Sequence, residues 1–223
     1  MSKFQIIPGD LFFFLKKLQP SGDAYEPDNQ NNIDDQELTY YHVGFFYDET
    51  TLIHVVRGKG VILQPFLEAI SITKPLRIEI CRVKCSEEKR KEAIKFAYSE
   101  VGTAYNDIMT PNFINSKNQK AYSCTQLICE AFGGDFFEQE PMNFKDKNGK
   151  FYEFFVKQYA ALNMPIPQGQ LGTYPAQFRK SKKIFLIKVL ERENEKMIEK
   201  EIDKENSGNT WQFILSKIPS AKL

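Results

Sequence analysis

His42 and His54 are the only histidines in the 223 residues, and each lies in a short stretch where apolar and polar residues alternate. Cys124 stands just after a serine, at the head of an apolar pattern with helical spacing. Two imidazoles that meet supply a base and the group that orients it. A thiol at a helix N-terminus supplies a nucleophile. Together they are the parts of thiol-based acyl chemistry, in which sulfur attacks a carbonyl and the acyl group passes to water or another acceptor.

The segments Tyr40 to Phe46 and Leu52 to Val56, separated by Tyr47-Asp48-Glu49-Thr50, read as a β-hairpin. Facing residues in a hairpin have numbers that add to a constant, and 42 and 54 centre on Asp48. A three- or five-residue loop around Asp48 sets the two histidines directly opposite, with Cβ atoms roughly 4.5–5.5 Å apart. A two-residue loop moves the register by one and sends them to opposite faces. The spacing therefore permits a His–His pair without forcing it, and a lone histidine in a strand is more often a satisfied, half-buried sheet residue.

Ser123-Cys124-Thr125-Gln126 has the form of a capping box, with Ser123 as the N-cap and Gln126 three residues on. Leu127, Ile128, Ala131 and Phe132 give the buried face, which leaves Cys124 in the first turn. The helix dipole and unpaired N–H groups there are expected to favour the thiolate and lower the thiol pKa. The same N–H groups can hold a developing oxyanion. Ser123, Tyr105 and Tyr122 are the nearby oxyanion or substrate-binding candidates. The plain alternative is that Cys124 is a small apolar filler. Cys129, one turn on, reads as core. No CxxC spacing exists and structural zinc wants four ligands, so no metal or organic cofactor is expected.

Around these parts the chain reads as mixed α and β. Leu11 to Leu15 is a buried strand, Val61 to Leu63 another, and Leu76 to Val83 a half-exposed one. Pro65 to Ile70 forms a short helix, and Ser86 caps a helix ending near Gly102. Residues 19–38 form a polar loop, and 135–172 an insertion with one helix near Phe151 to Ala161. Ile184 to Leu190 is a strand. Residues 1–190 are read as one domain. Residues 191–223 are read as a charged helical tail ending in an amphipathic segment at Trp211, Ile214, Leu215 and Ile218, which docks back or touches a membrane surface.

A net charge of +1 argues against a nucleic-acid partner. Four irregularly placed cysteines suit a reducing compartment. Pro8-Gly9-Asp10 interrupts the first apolar stretch, so no secretory signal is read, no run is long enough to span a bilayer, and the cytoplasm is the expected location.

The order of these segments resembles the circularly permuted NlpC-type papain-like cysteine hydrolases, above all the YiiX/YebB-like group. Pro8-Gly9-Asp10-Leu11 is similar to that group's opening strand. Tyr41-His42-Val43-Gly44 resembles its "HVG" strand with the catalytic histidine, and Leu52-Ile53-His54-Val55-Val56 the strand whose polar residue orients it. A second histidine there is more like the lecithin retinol acyltransferase branch. Gly102-Thr103-Ala104-Tyr105-Asn106 resembles "G-x-P-Y-D", with Ala104 and Asn106 as departures. Tyr122 to Leu127 resembles the nucleophile helix, and Tyr174-Pro175 through Val189 a closing strand. The resemblance implies an α+β fold, a central antiparallel sheet or partial barrel packed on helices that include the nucleophile helix. It implies a Cys124–His42–His54 triad that cleaves amide bonds in small peptides through a thioester, with acyl esters of lipids as the alternative substrates and a non-catalytic binding module as the alternative function. It leaves 19–38, 135–172 and everything after 190 uncovered.

Overall fold

The computed structural model describes residues 5–17, 38–146 and 148–200. Seven antiparallel strands form its main sheet. In chain order the elements are β1 (Leu11–Lys17), β2 (Leu38–Phe46), β3 (Thr51–Val56), β4 (Gly60–Pro65), α1 (Phe66–Thr73), β5 (Arg77–Val83) and α2 (Glu87–Ser99). They continue with β6 (Ala104–Tyr105), β7 (Ala121–Tyr122), α3 (Cys124–Ala131), β8 (Glu140–Pro141), α4 (Glu153–Ala161), β9 (Leu171–Gly172), α5 (Pro175–Lys180), β10 (Ile184–Glu193) and β11 (Lys196–Lys200). The sheet order is β11-β10-β5-β1-β2-β3-β4.

β1 lies at the centre, and its unbroken apolar run follows from that position, because both of its faces are covered. Leu11, Phe13 and Leu15 join Val43, Phe45, Ile53 and Val55 in a core shared with α2, α3 and α5. Phe12 and Phe14 point the other way, into a smaller core with Phe46, Leu52 and residues of α1. β5 is likewise buried on both sides rather than half-exposed as its alternation suggests, since β1 and β10 flank it.

The insertion packs a small core of Met142, Phe144, Phe155 and Tyr159, centred on α4, against Ile108. Two further expectations are corrected. Residues 191–200 are not helical: they complete β10 and form β11, because Asn194 and Glu195 both adopt positive φ (46° and 68°) and make a tight hairpin turn. Met197 then buries on the α1 side of the sheet while charged neighbours face out. Residues 175–180 are the helix α5, entered through Pro175 at its first position, so only 184 onward is strand. The 19–37 loop and the Trp211 segment lie outside the described residues.

Candidate active site

The hairpin closes one position later than the symmetric reading expects. Asp48 Oδ1 accepts from the N–H groups of Thr50 and Thr51, 2.8 Å each, and this tight turn pairs Tyr47 with Thr51. Facing residues then add to 98, not 96, so His54 lies opposite Gly44 and His42 sits on the diagonal. The loop is still odd, and both rings share a face. Gly44 is what lets them meet: a Cβ there would stand 2.7 Å from both His54 Cβ and the Phe12 ring. Over that empty position His42 Nε2 and His54 Nδ1 approach to 2.9 Å.

Behind them the polar chain continues. His54 Nε2 lies 3.0 Å from Gln64 Oε1 on β4, and Gln64 Nε2 donates to Glu68 Oε1 on α1 at 2.8 Å. Phe12 and Phe14 pack against the rings from β1. Burial holds both imidazoles neutral. It lowers the pKa of His42 to about 3, with a smaller push from His54, and that of His54 to about 4 against the opposing hydrogen bond from Gln64.

Cys124 arrives from the other face. The capping box is formed as expected: Ser123 Oγ accepts from Gln126 N, and Gln126 Oε1 accepts from Ser123 N at 2.9 Å. Gln126 also accepts from Asn106 Nδ2 and donates to Thr110 O, tying the 106–110 loop to the helix start. Ser123 is therefore occupied as a cap.

The meeting point of sulfur and strand is set by strand geometry. Phe46 N–H points to β1, where it donates to Asp10 O, so two-residue alternation turns the N–H groups of Phe45 and Val43 toward β3. Phe45 finds its partner at Ile53, but the ladder ends at Gly44–His54. The Val43 N–H, freed by that splay, faces the Cys124 sulfur, and together with the N–H groups of Thr125 and Cys124 it favours the thiolate. The nucleophile candidate thus sits at the open edge of β2, against the residue that follows His42. The bodies of the rings lie on the α1 side of the sheet, and among the described residues no hydrogen bond joins them to the sulfur.

The expected lowering of the thiol pKa is reversed. Burial pushes it up to about 11, and the three N–H groups only partly offset that desolvation. At neutral pH the three groups are thiol, neutral imidazole and neutral imidazole.

A cavity of about 510 Å³ opens beside Cys124, lined by Tyr105, Arg57, Met109, Phe154, Leu171 and Tyr174 among others. Tyr105 is well placed there, half-buried, with the Arg57 guanidinium 5.9 Å above its ring. Tyr122 is not. Its ring packs between Phe96 and Phe113 in the core, since adjacent strand residues point to opposite sides. Gln64, Glu68 and Arg57 were missed by sequence reasoning. Gln64 carried a signal, as the one polar residue in the run Val61-Ile62-Leu63-Gln64-Pro65.

No family model matches the sequence, and no curated protein matches it. The fold is that of a mixed α/β protein with a large antiparallel sheet, and solved structures contain a similar one. One such structure is the metalloprotein YiiX from Escherichia coli O157:H7, at a TM-score of 0.53 and 13% identity, with the match covering 82% of this chain and 97% of that one. The shared feature is a YiiX-like fold.

That neighbour is described as a metalloprotein. Among the described residues no three His, Cys, Asp or Glu side chains converge, and the facing nitrogens of His42 and His54 are engaged with each other. No helix among the described residues is long and apolar enough to cross a membrane.

Proposed function

We propose that the chain is a cysteine hydrolase of the permuted NlpC-type papain-like kind, cleaving amide bonds of small peptide-like substrates. The observation that carries this reading is the place of Cys124 in the first turn of α3, at the open edge of β2 next to Val43, the residue after the histidine that heads a neutral relay, where the N–H groups of Val43, Thr125 and Cys124 favour the thiolate. Cys124 attacks the carbonyl while its proton passes to His42, whose ring must come within reach of the sulfur at the opening where the β2–β3 ladder ends. The acyl group rests on sulfur as a thioester, the leaving amine takes the proton back from His42, and water then releases the acid. Because sulfur and imidazole both start neutral, the proton moves during attack and no preformed ion pair is required. The N–H groups of Cys124 and Thr125 are the oxyanion donors, and Tyr105 lines the substrate cavity. Four unpaired cysteines suit a reducing, cytoplasmic setting.

One observation favours a second substrate class. Phe154, Met109, Met142 and Leu171 give the cavity an apolar flank that fits an acyl chain, so a lipid-ester hydrolase or acyltransferase is the alternative. The test is mass spectrometry after incubation with mixed peptide amides, p-nitrophenyl esters and lipid esters. A mass increase on Cys124 equal to the acyl group supports the reading, and the acyl donor names the class. Undiminished turnover by Cys124→Ala would rule it out and leave a binding module.

A further inference from the structure

We infer that Glu68, an exposed side chain on α1, sets through Gln64 and His54 which nitrogen of His42 carries the proton, and so makes His42 Nδ1 the base. This rests on the hydrolase reading for its use in catalysis, but its physical content does not.

The donors and acceptors of the relay are fixed from the surface inward. A carboxylate only accepts, so the Gln64 group facing Glu68 must be the amide NH₂, as the 2.8 Å contact requires. Gln64 then presents its oxygen to His54, 3.0 Å from Nε2, and that oxygen can only accept. His54 is therefore protonated on Nε2 and bears its lone pair on Nδ1. At 2.9 Å from that lone pair, His42 Nε2 must donate. A neutral imidazole holds one proton, so the lone pair of His42 falls on Nδ1. Four groups in series leave a single consistent arrangement, because one end is acceptor-only. Reversing that end reverses every bond. With a donor-only side chain at 68, Gln64 turns over, His54 carries its proton on Nδ1, and His42 becomes Nδ1–H, with no base on that nitrogen. Glu68 and Gln64 are positioning residues, since neither lines the Cys124 cavity.

The chain's two histidines make the experiment tractable. Long-range ¹H–¹⁵N spectra of the ¹⁵N-labelled full chain at pH 7.5 distinguish protonated from bare ring nitrogens. Both rings are expected as Nε2–H tautomers in the native chain. Glu68→Lys is expected to move both toward Nδ1–H and to lower kcat for p-nitrophenyl acetate by about 10²-fold, within what a general base supplies, with KM little changed. The pair Gln64→Glu with Glu68→Lys restores an acceptor toward His54, and with it the Nε2–H form of His42 and most of the rate. Native tautomers in Glu68→Lys, or an Nδ1–H His42 in the native chain, would overturn the inference. If the tautomers follow Glu68 while Cys124→Ala hydrolyses the ester at the native rate, the relay stands and the hydrolase reading fails.

Discussion

Each face of the main sheet buries a polar cluster against its apolar core, and these two clusters are built on opposite principles. On the α1 face, His42, His54 and Gln64 are neutral groups linked in a line, reaching charge only at Glu68 near solvent. On the helix face, Glu79 of β5 accepts from Tyr40 at 2.9 Å and from Arg179 of α5 at 2.6 Å, with Arg77 at 3.3 Å. Burial and the Glu79 charge push the Tyr40 phenol well above its usual range. The ionic cluster joins β2, β5 and α5 and has nothing left to give. The neutral line ends on a nitrogen with a spare lone pair. A charge buried among partners stabilises a junction, whereas neutral groups in series can hold a proton ready to move.

That contrast yields expectations in decreasing order of size. Cys124→Ala should remove acyl-adduct formation entirely and cut turnover by more than about 10³-fold, while the melting temperature stays close to the native value. Loss of fold in that variant would mean that the thiol belongs to the core rather than to the chemistry. Glu79→Ala should do the reverse, costing roughly 3–5 kcal/mol in urea unfolding, because it strands the Arg179 guanidinium and the Tyr40 hydroxyl. Any acylation per folded molecule should survive it.

Acid should act on the α1 face. The folded pKa values of His42 and His54, about 3 and about 4, lie below the unfolded value near 6.5, so the unfolded chain binds more protons in acid. Their contribution is complete above about pH 6.5 and is lost as pH falls through the window toward 3. Urea melts at stepped pH should show that fall, and His54→Gln should flatten it. An unchanged slope in the variant would place the acid sensitivity elsewhere. The smallest effect is expected at Gly44→Ala, which overpacks Phe12 and His54 and should cost roughly 1–3 kcal/mol. It should also separate the rings, which chemical shifts of the two histidines would report.

Much of this was legible in residue order. Alternation located β2 and β3, the Ser123–Gln126 spacing located the start of α3, and the spacing of the histidines permitted a shared face without forcing it. What misled was mostly tertiary. The register is the exception: it moved by two because Asp48 caps its own turn through hydrogen bonds from Thr50 and Thr51, local chemistry that the symmetric reading passed over. The thiol pKa went up because burial at the β2 edge outweighs helix-end N–H groups, and burial is invisible in a string. Residues 191–200 carry the charge density of a solvated helix, yet Asn194 and Glu195 fold them back as a strand against β5's neighbour. Tyr122 was drawn in by sequence proximity to Cys124, where strand alternation sends it away. The relay past His54 went unread except for the polar Gln64 amid apolar neighbours, and Glu68 is an ordinary surface glutamate until the contact is seen.

The early end of the β2–β3 ladder has one more consequence. The Val43 N–H faces the Cys124 sulfur instead of a β3 carbonyl. Alkylating or acylating Cys124 changes what that amide faces while the flanking amides keep their partners. Deuterium uptake at this single position therefore works as a built-in occupancy gauge for the thiol, readable without knowing what the natural substrate is.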